Sequence, residues 1–165
     1  MTSPATTLPT TTTVVAVVAP DGLAGVRLGQ DATGALKALD AMFGAPSSDS
    51  VGCNENRSVR VVTWRSHTDL SEFVQALFLA GAFVQLIVTS PAVRTAEGIG
   101  VGTALEGLKA AYGSQLTTVD GGPAEGEIFA VGSGPAPHLV GGLSGVTSTD
   151  RVTYLESSLG SPVCR

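Results

Sequence analysis

The sequence has few charged, aromatic and cysteine residues. Of its 165 residues, 14% are charged, 5% are aromatic and only two are cysteines. The net charge of -5, without any cluster of Lys or Arg, argues against a nucleic-acid or anionic-membrane partner, because both select a basic surface. No apolar run approaches the roughly 20 residues of a membrane-spanning helix. The 43% of hydrophobic residues nevertheless suffices for the core of a domain of this length.

Motifs for catalysis, metal binding and cofactor binding are also missing. Residues 142–146, GLSGV, have valine where a nucleophile elbow needs its second glycine. The glycine-rich segment 98–102 is followed by Thr103, where a dinucleotide fingerprint needs glycine. Two cysteines and the isolated His67 and His138 do not supply the four ligands of a zinc site at defined spacing. We therefore predict no catalytic residue, no metal and no cofactor.

Threonine and proline dominate the N-terminus, where seven of the first thirteen residues are threonine. This composition cannot bury enough apolar surface to offset the entropy lost on ordering, so we predict that residues 1–19 are a disordered linker. Such tracts are typical of exported bacterial proteins and lipoproteins, and an ordinary cytosolic tail is the alternative. Residues 14–19 are too short for a signal-peptide core, so we expect any signal peptide or lipid anchor to be absent from this chain.

Two similar segments organise the rest of the chain. Residues 98–113 are GIGVGTALEGLKAAYG, and a degenerate copy at 25–44 is GVRLGQDATGALKALDAMFG. Each predicts an extended start, an amphipathic helix and a glycine that ends the helix. We expect Thr103 to cap the second helix, and Asp31 or Thr33 to cap the first. The chain is therefore predicted to be two diverged copies of one unit.

Segments with strand-like composition follow each predicted helix. β-Branched and aromatic residues predict strands at 59–64, 70–79 and 82–89 in the first half, and at 127–131, 138–143 and 151–157 in the second. Residues 45–50 are predicted to be a loop. The predicted fold class is α+β, with two tandem repeats at 22–90 and 94–165. Each repeat would be a main helix followed by an antiparallel three-stranded meander.

This order of elements resembles the tandem units of β-lactamase-inhibitor proteins and of small outer-membrane lipoproteins of the SmpA/OmlA type. The chain is also similar to an uncharacterised family of exported actinobacterial proteins. The shared motifs are V-x-x-W at 61–64, Gly-Leu-Ser-Gly at 142–145, R-V-T-x-[LI] at 151–155 and a near-terminal cysteine. The resemblance implies that the sheets of the two repeats form one curved surface whose concave face binds a partner protein or peptide.

Cys53 lies in a polar loop of the first half, and Cys164 is the penultimate residue. We predict a disulfide between them, which would tie the C-terminal tail of the second repeat back to the first repeat. An oxidising, extracellular or cell-envelope location would follow from that bond. The alternative of two free thiols stays open.

The sequence thus predicts a non-enzymatic exported or envelope-anchored domain. We expect it to bind a protein or cell-wall component through its sheet surface. Trp64, Arg65 and His67 are the candidate surface-binding residues, although a core position is the simpler interpretation of Trp64.

A cryptic hydrolase is the alternative function. Glu125 and Glu127 point to the same side of an extended segment, as a general acid and base would. With His138 they would form its acidic site.

Overall fold

The computed structural model describes residues 16–52, 59–122, 126–132 and 138–160. Strands and bridges account for 48% of the described residues, and helices for 18%. The strands are β1 (Ala16–Ala19), β2 (Gly22–Leu23), β3 (Val26–Arg27), β4 (Ser48–Gly52), β5 (Val59–Arg65), β6 (Phe73–Leu79), β7 (Ala82–Val88), β8 (Val93–Arg94), β9 (Leu116–Asp120), β10 (Glu127–Val131), β11 (His138–Leu143) and β12 (Val152–Ser158). The α-helices are α1 (Ala32–Phe43) and α2 (Leu105–Tyr112), and a short 3-10 helix follows α2 at Gly113–Gln115.

Eight strands form one antiparallel sheet in the order β4-β5-β6-β7-β12-β11-β10-β9. Its centre is the pairing of β7 with β12, where Leu155 lies opposite Val88. The hairpin between β6 and β7 turns at Ala80 and Gly81, whose φ angles are 50° and 80°. Two positive φ angles in succession match the right-handed twist of the flanking strands, so this tight turn supports the pairing of β6 with β7.

A second sheet has four short strands in the order β3-β2-β1-β8. β1 runs parallel to β8, with Ala16 opposite Val93. Ala16 and Val18 are buried, so residues 16–19 belong to the fold although the sequence assigned them to the linker. The remainder of the predicted linker, residues 1–15, lies outside the described residues.

Both helices are amphipathic, and each ends at a glycine with a positive φ, 82° after α1 and 51° after α2. The Asp31 carboxylate caps α1 by accepting the N–H of Gly34 at 2.9 Å. The prediction that Thr103 caps α2 is wrong, because the N-cap is Ala104. The Thr103 hydroxyl instead accepts the N–H of Gly100 at 3.0 Å. In the part of the chain that the structure describes, neither helix has the length and apolar character needed to cross a membrane.

The core lies between the eight-stranded sheet, the two helices and the small sheet. Two rows of side chains cross the face of the large sheet that meets the helices, and they are almost entirely apolar. The first row is Trp64, Val74, Val88, Leu155, Gly141 and Phe129, and the second is Val62, Ala76, Leu86, Ser157, Leu139 and Val131. Leu39 of α1 and Leu108 of α2 are fully buried in the same cluster. Each such side chain contributes about 1.5–3 kcal/mol on burial, which fixes this face of the sheet as the inner one.

The predicted α+β fold of two tandem helix-plus-meander repeats is wrong. The chain is mainly β, and strands from both predicted repeats form a single sheet through the pairing of β7 with β12. The small sheet also crosses the predicted boundary, because β1 pairs with β8. Residues 48–52, placed largely in a predicted loop, and residues 116–120 form the two edge strands. These edge strands are exposed and lack the apolar pattern by which a buried strand is recognised in a sequence.

Candidate functional site

The large sheet has a second face, directed away from the helices, whose composition differs from that of the inner face. One row of opposed residues crosses all eight strands on this side: Ser48, Thr63, Gln75, Ile87, Glu156, Val140, Ala130 and Thr117. We call the side of the sheet that carries this row the second face. Polar and aliphatic residues are interspersed along it, in contrast to the apolar inner rows. The buried Val59 and Leu77 also lie on this side and are not part of the main core cluster.

Polar side chains at the centre of the second face are hydrogen-bonded to one another. Gln75 donates from Nε2 to the Thr63 hydroxyl at 3.1 Å. Gln85 donates from Nε2 to Oε1 of Glu156 at 2.8 Å, and Glu156 is only 7% exposed. Burying a carboxylate is costly unless it is hydrogen-bonded, so the Gln85 amide is part of what keeps Glu156 in the sheet. Sequence reasoning missed Glu156, whose signal was an acidic residue inside an otherwise strand-like segment.

A cleft of about 330 Å³ lies at the end of β5 and β6, beside the C-terminus of α1. We call it the α1-end cleft. Its lining residues are Phe43, Ala45, Trp64, Arg65, Ser66, His67, Glu72, Phe73, Val74, Ser90 and Ala92. Six of these residues are apolar and five are polar or charged, so the cleft combines an aromatic and aliphatic wall with a polar rim.

Trp64 is held rigidly in the wall of the α1-end cleft. Its indole Nε1–H is shared between Oδ1 of Asp40 and the carbonyl oxygen of Gly44, each at 3.0 Å. The centre of its ring lies 6.3 Å from that of Phe43, and the residue is 4% exposed. The core interpretation of Trp64 is therefore confirmed, and the residue reaches the cleft only as part of its wall.

Arg65 and Phe73 connect the cleft to the second face, because they lie opposite each other on β5 and β6. The Arg65 guanidinium lies 5.3 Å from the centre of the Phe73 ring, a cation–π contact. Its Nη1 also donates to the carbonyl oxygen of Leu70 at 2.7 Å. The exposed Arg65 side chain is thereby positioned before any ligand arrives, which lowers the entropy lost on binding.

The loop between β5 and β6 carries the remaining charged residues of the cleft. His67 is exposed and Glu72 is half-buried. The loop is shaped by Asp69, whose Oδ1 accepts the N–H and the hydroxyl of Ser71 at 2.9 and 2.6 Å. The hydrogen bonds from Ser71 hold the pKa of Asp69 below its ordinary value. The loop is thus ordered at neutral pH by an ionised carboxylate, and it presents His67 at the rim.

The fold brings together the three predicted surface-binding residues, Trp64, Arg65 and His67, in the α1-end cleft. Tertiary structure adds the remaining walls of the cleft, which include Phe43 of α1, Phe73 of β6 and Ala92 before β8. Cys53 and Cys164 both lie outside the described residues, so their predicted disulfide stays a prediction.

Two residues of the alternative acidic site are described, and they do not meet. Glu127 begins β10 on the side of Phe129, which faces the core, whereas His138 begins β11 on the opposite side from the buried Leu139. Glu127 lies opposite Leu143, at the other end of β11 from His138. At about 3.3 Å per residue that places them roughly 17 Å apart along the strand. Glu125 lies outside the described residues.

The hydroxyl of Ser144, in the GLSGV segment at 142–146, is part of a turn. It donates to Oδ1 of Asp150 at 3.0 Å and accepts the N–H of Arg151 at 2.9 Å. Hydrogen bonds from Thr147 and Ser144 hold the pKa of Asp150 below its ordinary value. Among the described residues, no group of three or more His, Cys, Asp or Glu side chains is placed to hold a metal ion.

Tyr112, at the end of α2, has a pKa well above its ordinary value. Its hydroxyl contacts Oγ1 of Thr95 and Oε2 of Glu97, each at 2.9 Å. Burial raises the pKa of Tyr112 to about 12. The pKa of Glu97 is lowered, first by a hydrogen bond that its carboxylate accepts from the backbone of Glu97 itself and then by the one from the Tyr112 hydroxyl. A neutral phenol that donates to a carboxylate secures the end of α2, so we interpret this cluster as structural.

No protein-family model and no curated protein matches the sequence. Among solved structures, the fold is similar to that of the uncharacterized protein YfeY from Escherichia coli, with a TM-score of 0.58 and 11% identity over 86% of this chain and 99% of that one. An extracellular protein containing an SCP domain from Bacillus anthracis str. Ames gives a TM-score of 0.46 and 14% identity, over 78% of this chain and 43% of that one. The likeness to YfeY concerns the fold alone, and the second likeness is too weak to support an argument.

Proposed function

We propose that this protein is a non-enzymatic, exported or envelope-anchored domain that binds a protein partner through the second face of its eight-stranded sheet. The observation that carries the proposal is the asymmetry of that sheet. The described helices and the small sheet contribute to one core cluster on the inner face, and the row across the second face mixes polar and aliphatic residues. Thr63 and Glu156 of that row are buried, and its other six residues are half-buried or exposed. A mixture of accessible polar and aliphatic side chains is the usual composition of a protein-binding surface.

The α1-end cleft supports the same interpretation. It lies where the second face ends, and its Arg65 is an exposed, pre-positioned side chain next to an aromatic wall. Arginine and aromatic residues dominate the binding energy of protein interfaces. Export is supported by the Thr/Pro-rich N-terminus and by the two cysteines predicted to pair.

The hydrolase alternative has less support. Its described members, Glu127 and His138, lie on opposite faces and at opposite ends of the β10–β11 pair. General acid–base catalysis needs both groups within hydrogen-bond reach of one substrate. The separation of these two residues does not provide that geometry.

The test is capture of a partner from the envelope fraction of the producing cells, comparing surface variants of the purified chain. Ile87→Lys places a charge at the centre of the second face, and Val17→Lys makes the same kind of change on the exposed side of β1. We expect wild type and Val17→Lys to retain the same protein. We expect Ile87→Lys to retain it at least about tenfold less, the effect of losing roughly 1.4 kcal/mol at an interface.

Thermal melting of each variant separates lost binding from lost folding. Equal capture by folded Ile87→Lys and wild type would contradict the proposal. Retention of purified cell-wall material instead of a protein would replace the proposed partner by a wall component. Arg65→Ala then measures how much of the binding depends on the α1-end cleft.

A further inference from the structure

β9 is an edge of the eight-stranded sheet, and it has little protection against pairing with another strand. Thr117, Thr118, Val119 and Asp120 are all exposed, and Val119 is 53% exposed. β9 contains no proline or lysine, and its one charge is Asp120 at the last position. Natural edge strands usually carry a charge, a proline or a bulge that prevents further pairing. The opposite edge, β4, has such a charge within the strand at Asp49, which Arg60 contacts through two hydrogen bonds of 2.9 and 2.6 Å.

The hydrogen bonds of β9 show which of its backbone groups point away from the sheet. The N–H of Gly132 donates to the carbonyl of Gln115, and the N–H of Gly121 donates to the carbonyl of Gly126. The backbone N–H and C=O groups of the odd-numbered residues of β9 therefore point toward β10. The backbone groups of Leu116, Thr118 and Asp120 therefore point outward. The N–H of Leu116 is already bonded to the carbonyl of Gly113. In the described residues, the other outward N–H and C=O groups of these three positions have no backbone partner.

We propose that β9 pairs antiparallel with β9 of a second copy of this chain, about a two-fold axis at Thr118. The axis places Thr118 opposite Thr118 of the partner and Leu116 opposite the partner's Asp120. Each pair of Thr118 residues then exchanges two main-chain hydrogen bonds. On either side of the axis the carbonyl of Leu116 accepts the N–H of the partner's Asp120. The reverse bond, from the N–H of Leu116 to the carbonyl of the partner's Asp120, does not form because that N–H is already bonded to Gly113, so the pairing has four main-chain hydrogen bonds.

The side chains fit the same register. Val119 and Thr117 lie on the second face and oppose each other across the axis, as a favourable pair of β-branched residues. The two Asp120 carboxylates are four residues apart along the strands, roughly 13 Å, which exceeds the Debye length at physiological salt. The result is one continuous sheet made from two eight-stranded sheets. This dimer is independent of the partner proposed for the second face.

The experiment is sedimentation velocity of the full chain from about 10 μM to about 1 mM, because an interface this small corresponds to a weak Kd. Thr118→Pro removes the outward N–H but no hydrogen bond to β10. Thr118→Val is the matched control, since it keeps that N–H and the branched side chain. We expect wild type and Thr118→Val to dimerise with rising concentration and Thr118→Pro to stay monomeric.

Amide hydrogen exchange of the wild-type protein provides a second test that needs no variant. The amides of Thr118 and Asp120 should become protected as the concentration rises, whereas those of Thr117 and Val119 are protected by β10 at every concentration. A wild-type protein that stays monomeric at about 1 mM would overturn the proposal. So would dimerisation of Thr118→Pro equal to that of wild type, or outward amides whose exchange is unchanged in the dimer.

Discussion

Gly141, in the interior of β11, provides a direct test of how closely the sheet is packed against its own core. Its backbone lies against the ring of Phe129 on β10 and the main chain of β12. A Cβ added at Gly141 would lie 2.5 Å from both Cε1 and Cζ of Phe129, and closer still to the carbonyl oxygen of Tyr154. We therefore predict that Gly141→Ala is destabilising even though alanine is intrinsically better than glycine in a strand.

The magnitude follows from two opposed terms. Replacing glycine by alanine gains about 0.5–1 kcal/mol of backbone entropy. Overpacking a core costs about 1–3 kcal/mol, and the upper end applies here because the Tyr154 oxygen belongs to the paired main chain and cannot rotate away. The net loss is about 2 kcal/mol of the free energy of unfolding, which lowers the Tm by about 4–8 °C for a chain of this length.

Gly52 provides the matched control, because a Cβ there would meet no atom of the described residues within 4 Å. Urea denaturation followed by circular dichroism should show Gly141→Ala less stable than wild type and Gly52→Ala as stable or slightly more so. Adding Phe129→Leu to Gly141→Ala should recover part of the loss, with a coupling of at least about 0.5 kcal/mol in a double-mutant cycle. If Gly141→Ala were as stable as Gly52→Ala, the close packing of β11 on Phe129 would be refuted.

Two further predictions concern a turn and a buried tyrosine. Ala80 has a φ of 50°, where a non-glycine residue is strained by about 1–2 kcal/mol. Ala80→Gly should therefore raise the free energy of unfolding by roughly 0.5–1 kcal/mol in urea titrations, and a lower free energy of unfolding would contradict the assigned turn. The raised pKa of Tyr112, about 12 against an ordinary 10.0, stabilises the fold fully below pH 10 and progressively less as the pH rises through about 12. Stability should therefore fall across that window in wild type and fall less in Tyr112→Phe, and equal slopes in the two proteins would contradict the assignment.

Local pattern was enough to predict several elements with their observed bounds. β10 and β11 occur at 127–131 and 138–143, as the sequence indicated. The helix α2, at 105–112, lies within the predicted segment 98–113 and ends at the predicted Gly113, but it begins after Ala104 and not after Thr103. The two strands are short runs rich in apolar residues, which is the pattern of a strand buried on more than one side, and α2 keeps a helical spacing of apolar residues with Leu105 and Leu108 buried. The glycine that follows each helix was recognisable for a similar reason, since its positive φ requires that residue type.

The arrangement of those elements was decided by contacts between distant residues. The pairing of β7 with β12 joins the two halves into one sheet, and the exposed strands β4 and β9 exist only because β5 and β10 supply their hydrogen bonds. The spacing of apolar residues in the sequence indicates neither the pairing of β7 with β12 nor the presence of β4 and β9.

The candidate site divides in the same way. Trp64, Arg65 and His67 are neighbours in sequence and could be proposed together, whereas the Phe43 and Ala92 that complete their cleft come from other parts of the fold. Glu127 and His138 looked compatible as a pair in the sequence, but strand register placed them on opposite faces. Residue type and spacing thus determined which segments form helices and buried strands, because those depend on local burial. The tertiary structure decided which surfaces and side chains meet, because pairing and register are set by non-local hydrogen bonds and packing.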